Sequence, residues 1–194
     1  LYNPTSQPVS LTGYQLKTWN NGSTTISRTL QLNGTVAPFS TFVLADDQAD
    51  STIVAIRQQS MGTNNYNGDD VVALTKGEQF IDVIGKIGEQ RVWGSGNTQT
   101  QNRTLVRKPD ISAGDTNPYD DFNPAIEWTG YPQDSFSYLV NHQYNGDEVA
   151  PGEPEQPPVV IGYCGDEKTY IHEVQGNGSS SPLLSQTVVI EGIV

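Results

Sequence analysis

Short apolar runs recur along residues 1–140, and Gly, Pro, Asn or Asp interrupts them roughly every 8–12 residues. Many of these runs alternate apolar and polar residues, which is the periodicity of a half-buried β-strand. The pattern predicts about seven strands, centred on Val9–Leu16, Ile26–Leu32, Phe39–Ala45, Ile53–Gln58, Val71–Thr75, Phe80–Ile84 and Arg103–Arg107, and a last extended segment near Phe136–Val140. Gly77 lies between two of them and predicts a hairpin. The sequence therefore predicts an all-β fold, a β-sandwich.

Composition excludes two other classes of protein. Hydrophobic residues make up 35% of the 194 residues and charged residues 16%, and no stretch has the Ala-, Leu-, Glu- and Lys-rich helical spacing of a bundle or coiled coil. No run approaches the ~20 consecutive apolar residues of a membrane span, and the chain does not open with a signal-peptide pattern. We expect a chain with no membrane span that is not an intact precursor.

Charge and cysteine content narrow the function. Ten Lys and Arg against 22 Asp and Glu give a net charge of −12, which argues against non-specific DNA binding. One cysteine, Cys164, permits neither an intrachain disulfide nor a thiolate zinc cage. His142 and His172 are too far apart in sequence to form a metal-binding motif, and we expect each to be a surface or strand residue and not a ligand. Scarce cysteine with abundant Asn, Gly and Thr is typical of a secreted or cell-surface bacterial protein.

The chain divides by composition into three parts. Residues 1–144 carry the strand pattern, and residues 145–168 form a linker rich in Pro and Glu. Residues 145–194 hold 8 acidic residues and 1 basic residue. Strand character resumes in residues 169–194, and a lone pair of strands is marginal in water. We expect this last part to be the beginning of a second β domain.

Three segments carry a resemblance to a known family. The stretch "LYNPTSQPVSLTGYQL" resembles the signature of bacterial lamin-tail domains, and "GDDVVALTKGEQFIDVIG" with "QNRTLVRKPDISAGDTNP" is similar to the form that precedes secreted nucleases. The end, "IHEVQGNGSSSPLLSQTVVIEGIV", is similar to the opening of the OB-like domain of large extracellular nucleases. The resemblance implies an immunoglobulin-like β-sandwich over residues 1–144, and the start of an OB-like domain over residues 169–194.

The same resemblance implies an accessory role. In such nucleases a metal-dependent catalytic domain lies further toward the C-terminus, and none of its motifs maps onto this chain. The implied function is therefore a non-catalytic module that positions or attaches a secreted nuclease acting on extracellular DNA. Its partners would be that DNA, a cell-surface component and the downstream nuclease domains. Because family members usually have a strand before the "LYNPT" signature, we expect an exposed sheet edge here.

Acidic turns supply candidate calcium ligands. Asp115, Asn117, Asp120 and Asp121 offer hard oxygen atoms in a turn-prone segment, as Ca²⁺ prefers, and a weaker candidate is the segment "ADDQAD". Neither has EF-hand spacing. The alternative is that these side chains only cap turns. Calcium is the one cofactor that the sequence indicates.

A basic cluster supplies candidate DNA contacts. Arg103 and Arg107 have the even spacing that places both on one face of a strand, with Lys108 beside them. They could form a ridge that faces phosphate. The alternative is pairing with local carboxylates such as Asp110.

Aromatic residues are candidates for a stacking surface. Trp93 stands next to the Gly residues of "VWGSGN", and we expect it to be the most exposed aromatic side chain, whereas Tyr14 and Trp128 should be core. The chain has no nucleophile elbow, Walker loop or dinucleotide fingerprint. An accessory module is thus the first hypothesis. A calcium-stabilised adhesion or carbohydrate-binding sandwich is the second.

Overall fold

The computed structural model describes residues 1–63 and 66–146, which fall within one compact unit of the chain, residues 1–151. The predicted linker beyond residue 146, the predicted OB-like segment, Cys164 and His172 lie outside the described residues. The described residues contain ten strands: β1 Val9–Ser10, β2 Tyr14–Trp19, β3 Arg28–Gln31, β4 Thr35–Val36, β5 Leu44–Ala45, β6 Gln59–Ser60, β7 Val71–Lys76, β8 Gln79–Ile84, β9 Arg103–Arg107 and β10 Trp128–Pro132. Two short helices, α1 Ser51–Ile56 and α2 Pro124–Glu127, and 3-10 turns at Gly96–Thr98 and Phe136–Tyr138 complete the described elements.

The central sheet has the order β3-β2-β7-β8 and is antiparallel throughout. The β7–β8 hairpin confirms the prediction of two strands around Gly77, which takes a φ of 60°. A register shift between Leu74 and Thr75 marks a bulge in this hairpin. Most of the described strands pair in antiparallel fashion, so the all-β prediction is confirmed.

Apolar side chains cover both faces of the central sheet, because successive residues of a strand point to opposite faces. One cluster consists of Trp19, Val71, Ala73, Val83, Ile87 and Trp93. The other consists of Leu11, Leu32, Val36 and Phe42, with Leu16 and Leu74 of the sheet packed against it. Val83 has no exposed surface at all. This two-sided core holds the central sheet between the short strand pairs and the loops.

Short strand pairs lie beside the central sheet. β1 pairs with β4 in antiparallel fashion and β5 pairs with β6 in parallel. Residue Tyr2 bridges Thr41, and the buried Asn3 side chain donates to three backbone carbonyls, those of Gln7, Val36 and Ala37. This amide satisfies carbonyl groups that two loops would otherwise leave without partners.

The predicted strand at Ile53–Gln58 is wrong, because α1 occupies most of it. Asp50 caps this helix, since its carboxylate accepts a hydrogen bond from the backbone nitrogen of Thr52 at 2.8 Å. The extended segment predicted near Phe136–Val140 is also wrong, since Phe136–Tyr138 is a 3-10 turn. In its place β10 pairs with β9. Of the segment predicted at Phe39–Ala45, only Leu44–Ala45 is a strand. Within the described ranges, no helix is long and apolar enough to cross a membrane.

Candidate functional site

Arg107 is the most enclosed residue of the predicted basic ridge. Its guanidinium binds both carboxylate oxygens of Asp82 at 2.7 Å and Oε2 of Glu127 at 2.7 Å, and it lies 4.3 Å from the centre of the Trp128 ring. Only 14% of its side chain is exposed. The guanidinium is therefore a structural cation that joins β8 of the central sheet to the β9–β10 hairpin, and it is not directed toward solvent.

Asp82 is the carboxylate that depends most on this arrangement. It also accepts a hydrogen bond from the backbone nitrogen of Asp115 at 3.0 Å. Burial raises the pKa of Asp82 above its ordinary value, although Arg107 and the Asp115 backbone act in the opposite direction. The pair is thus held together across a partly desolvated boundary between two parts of the fold.

The other two ridge residues bind backbone carbonyls. Nε of Arg103 donates to the carbonyl of Gly96 at 3.2 Å, and Nη1 donates to that of Asn102 at 2.7 Å. Nζ of Lys108 donates to the last carbonyls of α2, those of Ala125 and Ile126, at 2.9 and 2.7 Å. Arg107 pairs with carboxylates, but its partners Asp82 and Glu127 lie 25 and 20 residues away in sequence, and they are not the local Asp110 that the alternative named.

The predicted calcium loop forms a series of side-chain turns. Oδ1 of Asp115 accepts from the backbone nitrogen of Asn117 at 2.9 Å, and Oδ1 of Asn117 accepts from that of Tyr119 at 3.2 Å. Asp121 forms an ion pair with Lys86 at 2.8 Å, and the hydrogen bond from Lys86 lowers the pKa of Asp121. These contacts match the alternative that such residues cap turns.

A cleft of about 230 Å³ brings part of the predicted ligand set together. Asp115, Asp120 and Asp121 line it, together with Glu127 and the exposed Ile126. In the described part of the chain, no group of three or more His, Cys, Asp or Glu side chains is arranged to hold a metal ion.

An adjoining cleft of about 300 Å³ has mixed charge. Lys86, Glu89, Arg91 and Asp121 line it, and Trp93 and Phe122 form part of its wall. Lys86 binds both Glu89 at 3.1 Å and Asp121 at 2.8 Å. The charges at this cleft are therefore largely neutralised by one another.

The prediction that Trp93 is exposed is wrong. Its side chain is 1% exposed and meets the Phe122 ring edge-on, at 6.4 Å between ring centres. The indole lies over Gly85, where a Cβ atom would come within 2.7 Å of the ring. The absence of a side chain at Gly85 lets the backbone approach a large buried ring, which is a second use of glycine besides forming exposed loops.

Two aromatic contacts were not foreseen from the sequence. The ring of His142, expected to be a surface or strand residue without a partner, meets Tyr2 edge-on at 4.7 Å between ring centres. Burial lowers the pKa of His142, and the charge of Arg107 acts in the same direction. Tyr131 and the exposed Tyr138 stack at 4.3 Å. The Tyr2–His142 pair joins the two ends of the described chain and therefore carries no local sequence signal.

Comparison with known proteins identifies no family for this chain. No protein-family model matches it, and no curated protein or solved structure was found to be significantly similar to it.

Proposed function

We propose that this chain is a non-catalytic accessory module of a secreted nuclease that acts on extracellular DNA, and that residues 1–144 are an immunoglobulin-like sandwich of the lamin-tail type. The all-β fold, with a central sheet covered on both faces, is compatible with this type of domain. The three sequence segments and their order support the nuclease context. The role proposed for the module is attachment or docking of the larger protein at the cell surface, rather than direct capture of DNA.

One observation carries this choice of role. Every Lys and Arg in the described residues already contacts a carboxylate, a backbone carbonyl or an aromatic ring. These cations are Lys17, Arg28, Arg57, Lys76, Lys86, Arg91, Arg103, Arg107 and Lys108. A DNA phosphate would have to compete with an existing contact at each of them, against a net charge of −12.

DNA binding by the purified chain tests the role. We expect weak binding to double- and single-stranded DNA, with a dissociation constant no tighter than the ~10⁻⁴ M limit of non-specific binding at physiological salt. Fluorescence anisotropy at two salt concentrations, with and without Ca²⁺, measures it. Tight binding at physiological salt would contradict the docking role.

Two variants separate the predicted ridge from other cations. If binding at low salt occurs through Arg103 and Lys108, two or three phosphate contacts predict a log–log salt slope of about −2 to −3. Arg103→Ala and Lys108→Ala should then each reduce binding, whereas Lys17→Ala, a change on β2 of the central sheet, should not. Equal losses in all three variants would indicate a diffuse electrostatic effect.

The accessory assignment has its own test. The chain should not cleave plasmid DNA with Mg²⁺, Mn²⁺ or Ca²⁺, because phosphodiester cleavage needs a metal-binding constellation that the sequence does not show. The coding sequence after Val194 should encode acidic and histidine motifs of a nuclease. Metal-dependent cleavage by the purified chain, or a continuation without such motifs, would contradict the proposal.

A calcium-stabilised adhesion or carbohydrate-binding module is the second candidate. The observation that favours it is the cleft in which Asp115, Asp120 and Asp121 meet. Binding of immobilised glycans that requires Ca²⁺ and is lost in Asp120→Asn would favour this candidate over the first.

A further inference from the structure

Two tyrosine rings stack where the chain turns back after β10. Tyr131 lies in β10, and Tyr138 is the last residue of the 3-10 turn Phe136–Tyr138. The two ring centres are 4.3 Å apart, and the ring planes are inclined by 30° to each other. Rings stacked at this distance are in van der Waals contact. The fold therefore brings two phenol side chains face to face.

The backbone around the turn holds this pair in place. Asp134 takes a left-handed φ of 63° and reverses the chain. The backbone nitrogen of Ser135 then donates to Oγ1 of Thr104 at 3.2 Å, and the Ser135 hydroxyl donates to the carbonyl of Pro132 at 2.8 Å. Thr104 is also the residue of β9 that lies opposite Tyr131. The turn is thus fastened to the part of the β9–β10 hairpin that carries the inner ring.

The two rings differ in their access to solvent. Tyr138 is 38% exposed, whereas Tyr131 is half-buried. A side-chain hydrogen bond from one to the other raises the pKa of Tyr138. If Tyr138 is oxidised to a radical, this contact lets it recover an electron and a proton from Tyr131. An oxidant that reaches only the outer ring can therefore oxidise both rings in turn.

Several other readily oxidised side chains of the described residues are buried. The one methionine of the chain, Met61, is 5% exposed, and Trp19 and Trp93 are 4% and 1% exposed. Oxidation of a side chain depends on its exposure. Tyr119 is more exposed, at 66%, but no ring contact joins it to a second tyrosine within residues 1–63 and 66–146. The stacked pair is thus the place where an accessible tyrosine already touches a partner of the same kind.

We propose that Tyr131 and Tyr138 are a site of oxidative modification, at which a haem peroxidase with hydrogen peroxide joins the two rings as dityrosine. Each phenol first loses one electron and its hydroxyl proton. The two phenoxyl radicals then form a carbon–carbon bond between ring positions next to the hydroxyls. The hydrogens of those two carbons move to the oxygens and restore both phenols.

The reaction is balanced by its oxidant. One hydrogen peroxide takes up the two electrons and two protons that the tyrosines lose, and it becomes two water molecules. The new bond fixes the turn Phe136–Tyr138 to β10 covalently. This modification does not depend on the function proposed above.

Oxidation of the full chain by a haem peroxidase and hydrogen peroxide tests the site. We expect a monomeric product that has lost two hydrogen atoms and has the blue fluorescence of dityrosine. A protease that cuts at acidic residues cleaves at Asp134, between the two tyrosines, and mass spectrometry should then find the two fragments still joined. This mapping uses the unmodified chain and does not require any variant to fold.

Conservative variants test the role of each ring. Tyr131→Phe keeps a ring in the stack but lacks the hydroxyl that forms the radical, so the monomeric dityrosine product should be lost. Tyr138→Phe should lose it as well. The matched control Tyr119→Phe, at an exposed tyrosine outside the stack, should give the wild-type yield.

Four results would overturn the site. An undiminished monomeric product in Tyr131→Phe would show that the coupling occurs elsewhere. Joined fragments that contain Tyr2 and Tyr144, whose ring centres are 6.3 Å apart, would place the bond at that pair. Products linked only between chains would show that isolated surface tyrosines react before the stacked rings. The absence of any dityrosine under conditions that couple free tyrosine would show that the pair is inert.

Discussion

Replacing Arg107 with alanine should destabilise the fold by about 3 kcal/mol. The change removes two hydrogen bonds to Asp82 and one to Glu127, all at 2.7 Å, and a contact with the Trp128 ring. Breaking a buried ion pair from one side costs about 3–5 kcal/mol, because the remaining charge stays buried without compensation. The lower end applies here, since the side chains of Asp82 and Glu127 are 30% and 31% exposed and water partly compensates them.

The loss should also depend on pH. Burial already raises the pKa of Asp82 in the folded protein, and removing Arg107 raises it further. A carboxyl group whose pKa is higher in the folded than in the unfolded protein stabilises the fold at pH values below its unfolded pKa, about 4. This stabilisation is lost as the pH rises through the folded pKa. The difference in stability between Arg107→Ala and the wild type should therefore be largest at neutral pH and smaller near pH 4–5.

Urea denaturation followed by tryptophan fluorescence measures both effects. Arg91→Ala is the matched control, because 59% of that side chain is exposed and its carboxylate contact is 3.9 Å long, so its loss should stay within about 0.5 kcal/mol. The double variant Asp82→Asn/Arg107→Met should recover part of the loss, since no charge of that pair remains buried. A loss below about 1 kcal/mol at pH 7, or a deficit that grows on acidification, would refute this account of Arg107.

Three further variants probe Trp93 in the core, Gly130 in β10 and the half-buried His142. Trp93→Ala should lower the free energy of unfolding by about 3–5 kcal/mol in urea denaturation, because it empties a fully buried site. The control Tyr119→Ala, at a residue 66% exposed, should change it by no more than about 0.5 kcal/mol. Equal losses of stability in the two variants would contradict the burial of Trp93. Gly130→Ala should cost at least about 1–3 kcal/mol, because the added Cβ would lie 1.8 Å from the carbonyl oxygen of Asn97, and an unchanged denaturation midpoint would show that β10 can shift. Because the pKa of His142 is lower in the folded protein, this residue stabilises the fold above its unfolded pKa, and the stabilisation falls as the pH drops through about 6.5. Thermal melts of His142→Phe between pH 7.5 and 5.5 should lack this pH dependence. A variant with the wild-type pH profile would contradict this role of His142.

Local pattern predicted the strands wherever the local signal and the tertiary environment agree. The β7–β8 hairpin is the clearest example, because alternating residues flank Gly77 and both strands lie in the central sheet. In Ile53–Gln58 the two disagree. Branched apolar residues there favour a strand, but the cap at Asp50 starts a helix that buries none of its residues. A six-residue helix without a buried face leaves no periodicity to recognise.

Partners far apart in sequence limited the prediction of the site. The even spacing of Arg103 and Arg107 was visible, but the partner of Arg107 in β8 lies 25 residues away and could not be chosen from more than twenty acids. Likewise Gly94 and Gly96 give the segment after Trp93 the composition of an exposed loop, although the indole is buried against Gly85 of a different segment. Composition describes what a segment contains, whereas burial depends on what the rest of the chain places over it.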